Sequence, residues 1–490
     1  TPASMKAWIP VGGSCADIKT LDGEPIEGEK FDIVAIGMQE STWSSKKKKG
    51  NKALNDSDHE LAVEDENADG SAGEINYLAA VEGADTVALR KMERALLGNQ
   101  YNLVKEEVRG QMRLHIWALE SVTPFLDNIK VSGANTGVGN VLANKGGIIV
   151  SFEYQKTRFS FLSAHLAAHE GESYYQARCE NVSDILESSK TFKLSNSFDL
   201  ALSSHHMFVF GDLNFRTKFE QESTHAENVR RALDLIKAED FETLYSFDEL
   251  HKGVLKGDLL LGFNTLPCRF HPTFKVQREP GYVYKKQRTP SYTDRILYKA
   301  SPGLENFVKP LSYEPCVDFV TSDHKPIRGA FSIATNEMID PQNLECKFRM
   351  KFSEMECSDL PAGDVDGFSD PFIMFVWDGI ELEEERKRRF RLNQMFSERS
   401  WPRTSYISKT LNPVWEGKEI VLLSTGKEIS SEAILYMGVF DYDFGSKDDV
   451  LGTLPLNIQD LISMKRGQSS KELIFDHSLQ ANGKRAGQIR

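Results

Sequence analysis

The chain has 490 residues, more than one typical core holds, and about three domains is the expectation that length alone sets. Hydrophobic residues make up 40% and charged residues 27%, the balance of an ordinary globular protein. A formal net charge of −13 argues against sequence-independent binding to nucleic acid, which needs basic surface to displace counterions, and it leaves room for a local basic pocket that takes a small anion. The cysteines, Cys15, Cys179, Cys268, Cys316, Cys346 and Cys357, are scattered with no CxxC pair, so neither a zinc site nor a disulfide framework follows; a reducing, cytosolic compartment is expected. No apolar run approaches the roughly 20 residues that span a bilayer, and nothing at the start reads as a signal peptide. The opening on Thr1 rather than Met suggests a fragment or processed form.

In chain order, the first strand-like run is "FDIVAIGM" (31–38). Residues 41–75 follow, with "KKKK" ahead of an acidic, Gly/Ser-bearing stretch that buries too little apolar surface to offset its ordering entropy, so a flexible insertion is expected. From about 86 to 330 helical patterns ("TVALRKMERALLG", "ESYYQARCENVSDILES", "ENVRRALDLIKAEDF") alternate with apolar runs ("GGIIVSFEY", "TRFSFLSAH", "HMFVFGD"). In the third helix Val229, Ala232, Leu233 and Ile236 fall on one face at i, i+3, i+4, i+7. Helices covering a largely buried sheet make this an α/β layered domain. "ATNEMIDPQNLE" (334–345) reads as a linker. Beyond it, "CKFRMKFSEMECSDL", "DPFIMFVW", "KTLNPVWEGKEIVLL" and "AILYMGVFDYD" are short strands between turns, with little helix until "LNIQDLISM"; this is the texture of an all-β sandwich. Domain boundaries of 1–335 and 343–478 follow, with a frayed basic end after 478.

Polar residues recur at the ends of the apolar strands of the first domain: Glu40, His165, and Asp212 with Asn214, while Asp294, Asp323 and His324 lie beside two further strands. An Asp in such a turn is usually structural, because its side chain caps local N–H groups, and a lone His ending a strand is usually a framework residue. Repetition at one structural address is what changes the reading. Carboxylates and an amide are hard oxygen ligands suited to Mg²⁺ rather than zinc. Two histidines suit a phosphate, and an Asp–His pair keeps one imidazole oriented and charged. No Ser elbow or reactive Cys loop stands out, which favours an activated water over a covalent route. The residues point to metal-assisted hydrolysis of a phosphate ester.

"GMQES", "NKGGIIVSF", "SAHLAAHEG", "FGDLNFR", "FHPTFK", "TPSYTDRIL" and "TSDHKPI" together resemble inositol polyphosphate 5-phosphatases, a family of the exonuclease–endonuclease–phosphatase superfamily, over about residues 30–333. The resemblance implies an α/β fold, a four-layer α/β/β/α sandwich with its site across the top. It implies Glu40 as the Mg²⁺ ligand with Asp323 beside the metal. Asp212 would activate or orient the attacking water, and Asn214 would position water and phosphate. His324, oriented by Asp294, would grip the scissile phosphate, with His165 as the second phosphate-contacting histidine. Lys275 and Lys286 would meet the neighbouring 4-phosphate, with Lys145 and Arg216 as further candidates for lining the site and Arg295 as an internal strut. Phe274 stands where the family often has Tyr, and Tyr292 where it usually has Trp. The family's opening strand, which carries Trp-Asn, has no counterpart here, and an active site short of one residue is the expectation.

In the second domain Asp364 and Asp370 lie in one Gly-bearing loop and Asp441, Asp443 and Asp449 in another. Acidic loops are usually solvated turns, yet these carboxylates suit a cation needing six to eight oxygens. With "SDPF" and "TLNPVWEG" they resemble a Ca²⁺-binding C2 domain, and Asp366 and Asp448 are additional acids. "ERKRRFR" places Arg386, Lys387, Arg388, Arg389 and Arg391 together. It is either a charged edge that discourages aggregation or an attraction to anionic lipid worth about 1 kcal/mol per basic residue; the lipid reading is preferred beside a Ca²⁺-type module. The expectation is a Mg²⁺-dependent 5-phosphatase acting on phosphoinositides or inositol polyphosphates, held at the cytosolic face of a membrane as a peripheral protein, with no nucleic-acid partner. The alternatives are a nuclease of the same superfamily and a Ca²⁺-dependent membrane-binding protein with an inert phosphatase domain.

Overall fold

The computed structural model describes residues 5–41, 83–137, 144–188, 198–219, 223–335, 348–379, 382, 401–424, 429, 432–443, 448–467 and 473–490. The insertion after Ser41, most of the linker and the basic 385–391 segment lie outside the described residues. In chain order the first domain runs β1 (Ile33–Met38), α1 (Gly83–Leu97), β2 (Tyr101–Arg109), β3 (Met112–Leu119), β4 (Leu126–Asn135), β5 (Gly146–Tyr154) and β6 (Thr157–His165). It continues α2 (Glu172–Ser188), α3 (Leu200–Ser203), β7 (His206–Asp212), α4 (His225–Lys237), α5 (Phe241–Ser246), α6 (Glu249–Lys256), β8 (Asn264–Thr265), β9 (Asp294–Ala300), β10 (Val308–Pro315) and β11 (Ile327–Ile333).

Strand alternation builds the layers. Along β3, Met112, Leu114, Ile116 and Ala118 point to one side and join Ile148, Val150 and Phe152 of β5 and Phe159 of β6 in a core between two sheets. The alternate residue Trp117 packs outward with Leu89 and Leu97 of α1, where buried Glu93 receives the Trp117 indole N–H at 2.7 Å and meets His115 Nδ1 at 2.8 Å. The first sheet has the order β1-β3-β2 and the second β4-β5-β6-β7-β9-β8, with β10-β11 paired separately. On the far face of the second sheet, Ile149, Leu162, Met207 and Val209 pack against Val182, Ile185 and Leu186 of α2 and Leu250 of α6. The order is therefore helix, sheet, sheet, helix, as expected. Among the described residues β1 and β11 each carry a strand on one edge only; near β11, Trp8 Nε1 donates to Ile327 O at 3.1 Å.

The second domain contains β12 (Arg349–Phe352), β13 (Met355–Ser358), β14 (Pro371–Asp378), β15 (Val414–Trp415), β16 (Ile420–Leu423), β17 (Ile434–Asp441), β18 (Asp449–Asn457), α7 (Ile458–Gly467), β19 (His477–Ala481) and β20 (Lys484–Ile489). Its strands pair antiparallel in the order β14-β17-β18-β19-β20-β13-β15, with β12-β16 beside them, around a core that includes Ile373, Phe375, Trp377, Trp415 and Leu435. One expectation is corrected. The chain after 478 is not a frayed end: β20 pairs with β19 and with β13, where Cys357 faces Ile489, and Ala486 and Ile489 are buried. Its two apolar side chains are spaced among basic and polar residues, so the strand carries little apolar signal in the sequence.

Candidate active site

The register of three neighbouring strands assembles the site. In β7, His206, Phe208, Phe210 and Asp212 alternate toward the inter-sheet core, and Asp212 ends the strand. It lies directly opposite His165 at the end of parallel β6 and opposite Asp294 at the start of antiparallel β9. Gly211 makes the close approach possible: its φ is +129°, and a Cβ there would sit 2.2 Å from Ala164 O. Asp212 Oδ1 then accepts the Asn214 backbone N–H at 3.1 Å, an Asx turn, while Asn214 adopts φ +58°. The turn and the site are the same structure.

Around this corner Asn214 Nδ2 donates to Asp212 Oδ2 and to Leu166 O, both at 3.1 Å. His165 Nε2 lies 3.3 Å from Asp212 Oδ2 and 3.9 Å from Glu40 Oε1, and it contacts Lys145 Nζ. His324 reaches the group through the segment at Phe274, which bridges to both Ser291 and His324. His324 Nδ1 is 3.0 Å from Asp294 Oδ2, and that oxygen also accepts from Thr273 Oγ1 at 2.6 Å and Thr293 Oγ1 at 3.0 Å. Ligand atoms of Asp212, Asp294 and His324 all lie within 4.8 Å of one another. The Phe274 ring packs against His324 at 4.6 Å between centroids, with the Arg216 guanidinium 4.8 Å from its centre.

Electrostatics separates the roles. Burial opposes charge on Asp212, but His324, then His165 and Lys145, outweigh it and hold the carboxyl well below the usual range. Burial also opposes charge on His324, yet Asp294 and Asp212 prevail and push the imidazole up to about 9. At neutral pH the pair is a carboxylate facing an imidazolium. Lys145 is lowered by burial, an effect opposed by Asp212 and Glu40.

Glu40 sits just past β1 at φ +50°, its side chain 73% exposed and its carboxylate without a hydrogen bond among the described residues. An exposed carboxylate at the rim, next to a dense cluster of acids and imidazoles, is a donor set that fits a hard divalent cation. Asp323 Oδ2 is 3.7 Å from Lys275 Nζ at the edge of the same group. Lys286 has an exposed side chain, and its carbonyl receives His225 Nε2 at 3.3 Å. Arg216 is buried against Asn214, donating from Nε to Asn214 O at 2.8 Å and from Nη2 to Asn214 Oδ1 at 2.5 Å. Arg295 is a strut, paired with Asp248 at 2.6 Å in the interior.

Sequence reasoning missed Thr273 and Thr293, which fasten Asp294, and Glu249, whose Oε2 accepts from Arg178 Nη2 at 2.7 Å and from Arg216 N at 3.0 Å. Their signal was available only as proximity to the motifs. In the second domain, Asp370 Oδ1 accepts from Lys409 N at 2.7 Å, and Asp441 Oδ1 accepts from Asp370 N at 2.6 Å. Among the described residues these aspartates do not gather three ligand oxygens within 4.8 Å of one another. They still sense each other: Asp443 is raised by burial and then by Asp441, Asp449 and Asp364, and Asp441 by burial and then by Asp364 and Asp370. Val365 and Phe368 stand exposed on the same loop; the sequence reading passed over them.

Residues 11–330 match Endonuclease/Exonuclease/phosphatase family 2, and residues 349–473 match the C2 domain. Phosphatidylinositol 3,4,5-trisphosphate 5-phosphatase 2A of Danio rerio is 32% identical over 242 residues, 47% of this chain and 18% of that protein. Polyphosphatidylinositol phosphatase INP53 of Saccharomyces cerevisiae is 29% identical over 258 residues, 51% of this chain and 21% of that protein. The chain thus spans about a fifth of the length of these curated relatives. A solved inositol polyphosphate 5-phosphatase domain of SPsynaptojanin, in complex with inositol (1,4)-bisphosphate and calcium ion, aligns with a TM-score of 0.45 at 24% identity, over 65% of this chain and 82% of that one.

Proposed function

Since the chain belongs to Endonuclease/Exonuclease/phosphatase family 2 and carries a C2 domain, we propose that it hydrolyses the 5-phosphate of phosphoinositides or inositol polyphosphates. The observation that carries this reading is the register-aligned group of Asp212, His165, Asp294 and His324. The charged His324 holds a phosphoryl oxygen and keeps its proton because Asp294 faces Nδ1. Asp212 orients the attacking water, and Asn214, locked by Arg216, fixes the Asp212 carboxylate. A strongly acidic Asp212 is a weak base in the empty site. A bound phosphate shares the positive charge of His324 and Lys145, which releases that stabilisation from Asp212 and makes it a better proton acceptor when substrate is present. Glu40 and Asp323 are the residues that would hold Mg²⁺, which supplies charge neutralisation and a more acidic water. Lys275, whose ammonium lies 3.7 Å from Asp323 Oδ2, would meet a second phosphate on the ring.

The C2 domain is proposed to dock the enzyme on anionic membrane of the cytosolic face. The mutual repulsion among Asp364, Asp441, Asp443 and Asp449 fits a site that Ca²⁺ would relieve, and exposed Val365 and Phe368 beside it suit contact with lipid. Docking raises the effective concentration of a substrate that stays in the bilayer.

The test is phosphate release from vesicles containing phosphatidylinositol 4,5-bisphosphate or 3,4,5-trisphosphate, and from soluble inositol polyphosphates, with and without Mg²⁺. Asp212→Asn is expected to lower turnover by about 10²–10⁴-fold while vesicle binding persists; undiminished turnover removes Asp212 from its role. Nicking of plasmid DNA without phosphate release would make the chain a nuclease. Vesicle binding without any hydrolysis would make it a membrane-binding protein. In the second domain, Asp441→Asn with Asp443→Asn is expected to weaken Ca²⁺-stimulated sedimentation with anionic vesicles at least tenfold, and equal binding without Ca²⁺ would leave the aspartates a structural role.

A further inference from the structure

A cavity of about 630 Å³ lies on the seam between the two domains, away from Asp212. The first domain contributes the C-terminal end of α6, with Lys256 and Asp258, and Cys179 of α2; the second contributes Asp359 and the start of β20, with Lys484 and Arg485. The walls are fastened together, because Arg485 N donates to Gly257 O at 3.0 Å and Leu261 N donates to Gly483 O at 2.7 Å. Lys256, Lys484 and Arg485 converge on this concavity from two domains; Glu172 feels the charge of Lys256 and Asp184 that of Lys484, at longer range than a direct ion pair. Of the two lining acids, Asp258 is engaged by the Tyr175 hydroxyl at 2.7 Å, and Asp359 stands exposed at the rim. The carbonyls ending α6 would oppose an anion, but Gly257 O is already satisfied by Arg485.

We propose that this seam cavity binds a compact, multiply phosphorylated anion. Two ammonium groups and a guanidinium supply the point charges and the planar fork that phosphate oxygens take. The volume falls within the roughly 300–1,000 Å³ of small-molecule sites. In a chain of net charge −13, the cavity lining brings together Lys256, Lys484 and Arg485 against Asp258 and Asp359, a locally cationic balance. The assignment does not rest on the phosphatase reading, since none of these residues belongs to the Asp212 cluster. The same chemistry is offered by a soluble inositol polyphosphate and by a phosphoinositide headgroup.

The experiment titrates the full chain with inositol hexakisphosphate by calorimetry at 0.15 M salt. In parallel it measures sedimentation with phosphatidylcholine vesicles, with and without phosphatidylinositol 4,5-bisphosphate. Lys484→Gln with Arg485→Gln is compared with Lys275→Gln, which removes a cation of the catalytic cleft. Lys256→Gln, on the other wall, serves as a second seam variant should the double substitution disturb β20. The seam variants are expected to weaken one hexakisphosphate binding event at least tenfold and Lys275→Gln to leave that event in place. If only the soluble ligand is affected, the site takes free inositol phosphates; if phosphoinositide-dependent sedimentation weakens as well, it takes the lipid headgroup. Binding that is lost in Lys275→Gln but kept in the seam variants, or no binding at all by the parent chain, overturns the proposal.

Discussion

Asp294 and His324 show how a single neighbouring charge sets a protonation state. His324 is raised from the ordinary histidine value of about 6.5 to about 9, against burial, by Asp294 first and Asp212 second. A raised histidine stabilises the fold in full below its unfolded pKa, and that contribution is lost as pH rises through about 9. If the charged imidazolium grips phosphate, hydrolysis has an alkaline limb in the same region. Asp294→Asn removes the largest raising charge and is expected to move that limb down by about 1 pH unit or more. A pH–rate profile of both proteins reads it, and an unmoved limb would separate His324 from phosphate binding. Phe274 illustrates a different point: where the resemblance led one to expect a tyrosine, the ring here serves as a platform between His324 and Arg216.

Short elements transmit order to the site. Helix α6 is only eight residues long, too short to persist on propensity alone, so its ends must be held. Asp248 caps it by accepting His251 N at 2.9 Å and pairs with Arg295 Nη1 at 2.6 Å, both side chains buried. Gly257 closes the other end at φ +80°. The next residue after the cap, Glu249, binds Arg216 N, so α6 supports the strand end that carries Asn214. Asp248→Ala leaves a buried guanidinium unpaired and removes a cap, and is expected to cost about 3–5 kcal/mol. Chemical denaturation of the variant checks this, and a loss below about 1 kcal/mol would mean that Arg295 finds other compensation.

At the scale of the whole molecule the two domains form one packed body. Phe198 and Leu202 of the first domain enter a cluster with Phe372, Met374, Val376, Ile434, Tyr436 and Phe440 of the second. Tyr436 donates its hydroxyl to Leu202 O at 3.0 Å, Arg158 pairs with Asp378 at 2.6 Å, and Thr157 donates to Glu432 at 3.1 Å. The β19–β20 turn presses in beside α2, where a Cβ on Gly483 would meet Leu186 Cδ1 at 2.8 Å. Calorimetry is expected to show a single unfolding transition, and Gly483→Val, strained at φ +76° and colliding with Leu186, is expected to split it. Two transitions in the parent chain would mean that the interface does not couple the domains.

Much of the first domain was legible because its signals are local. The α/β alternation, the strand ends at His165 and Asp212, and the turn after Gly211 are written in period and turn chemistry. The resemblance supplied the order in which to read them. The seam was harder. "PFIMFVW" in β14 is apolar at every position, and an antiparallel strand covered on one face would alternate; the run records a second covered face but not its partner, which lies across the chain at Phe198 and Leu202. β20 was missed because paired backbone, rather than apolar content, holds it. By itself the sequence determined which residue types stand at the strand ends and that two unlike domains follow one another, since periodicity and composition act over short stretches. Only the tertiary structure decided that Asp212 faces His165 and Asp294 in register, and that Lys256, Lys484 and Arg485 surround one cavity. Those outcomes depend on pairings between residues far apart in the chain, and no local pattern specifies them.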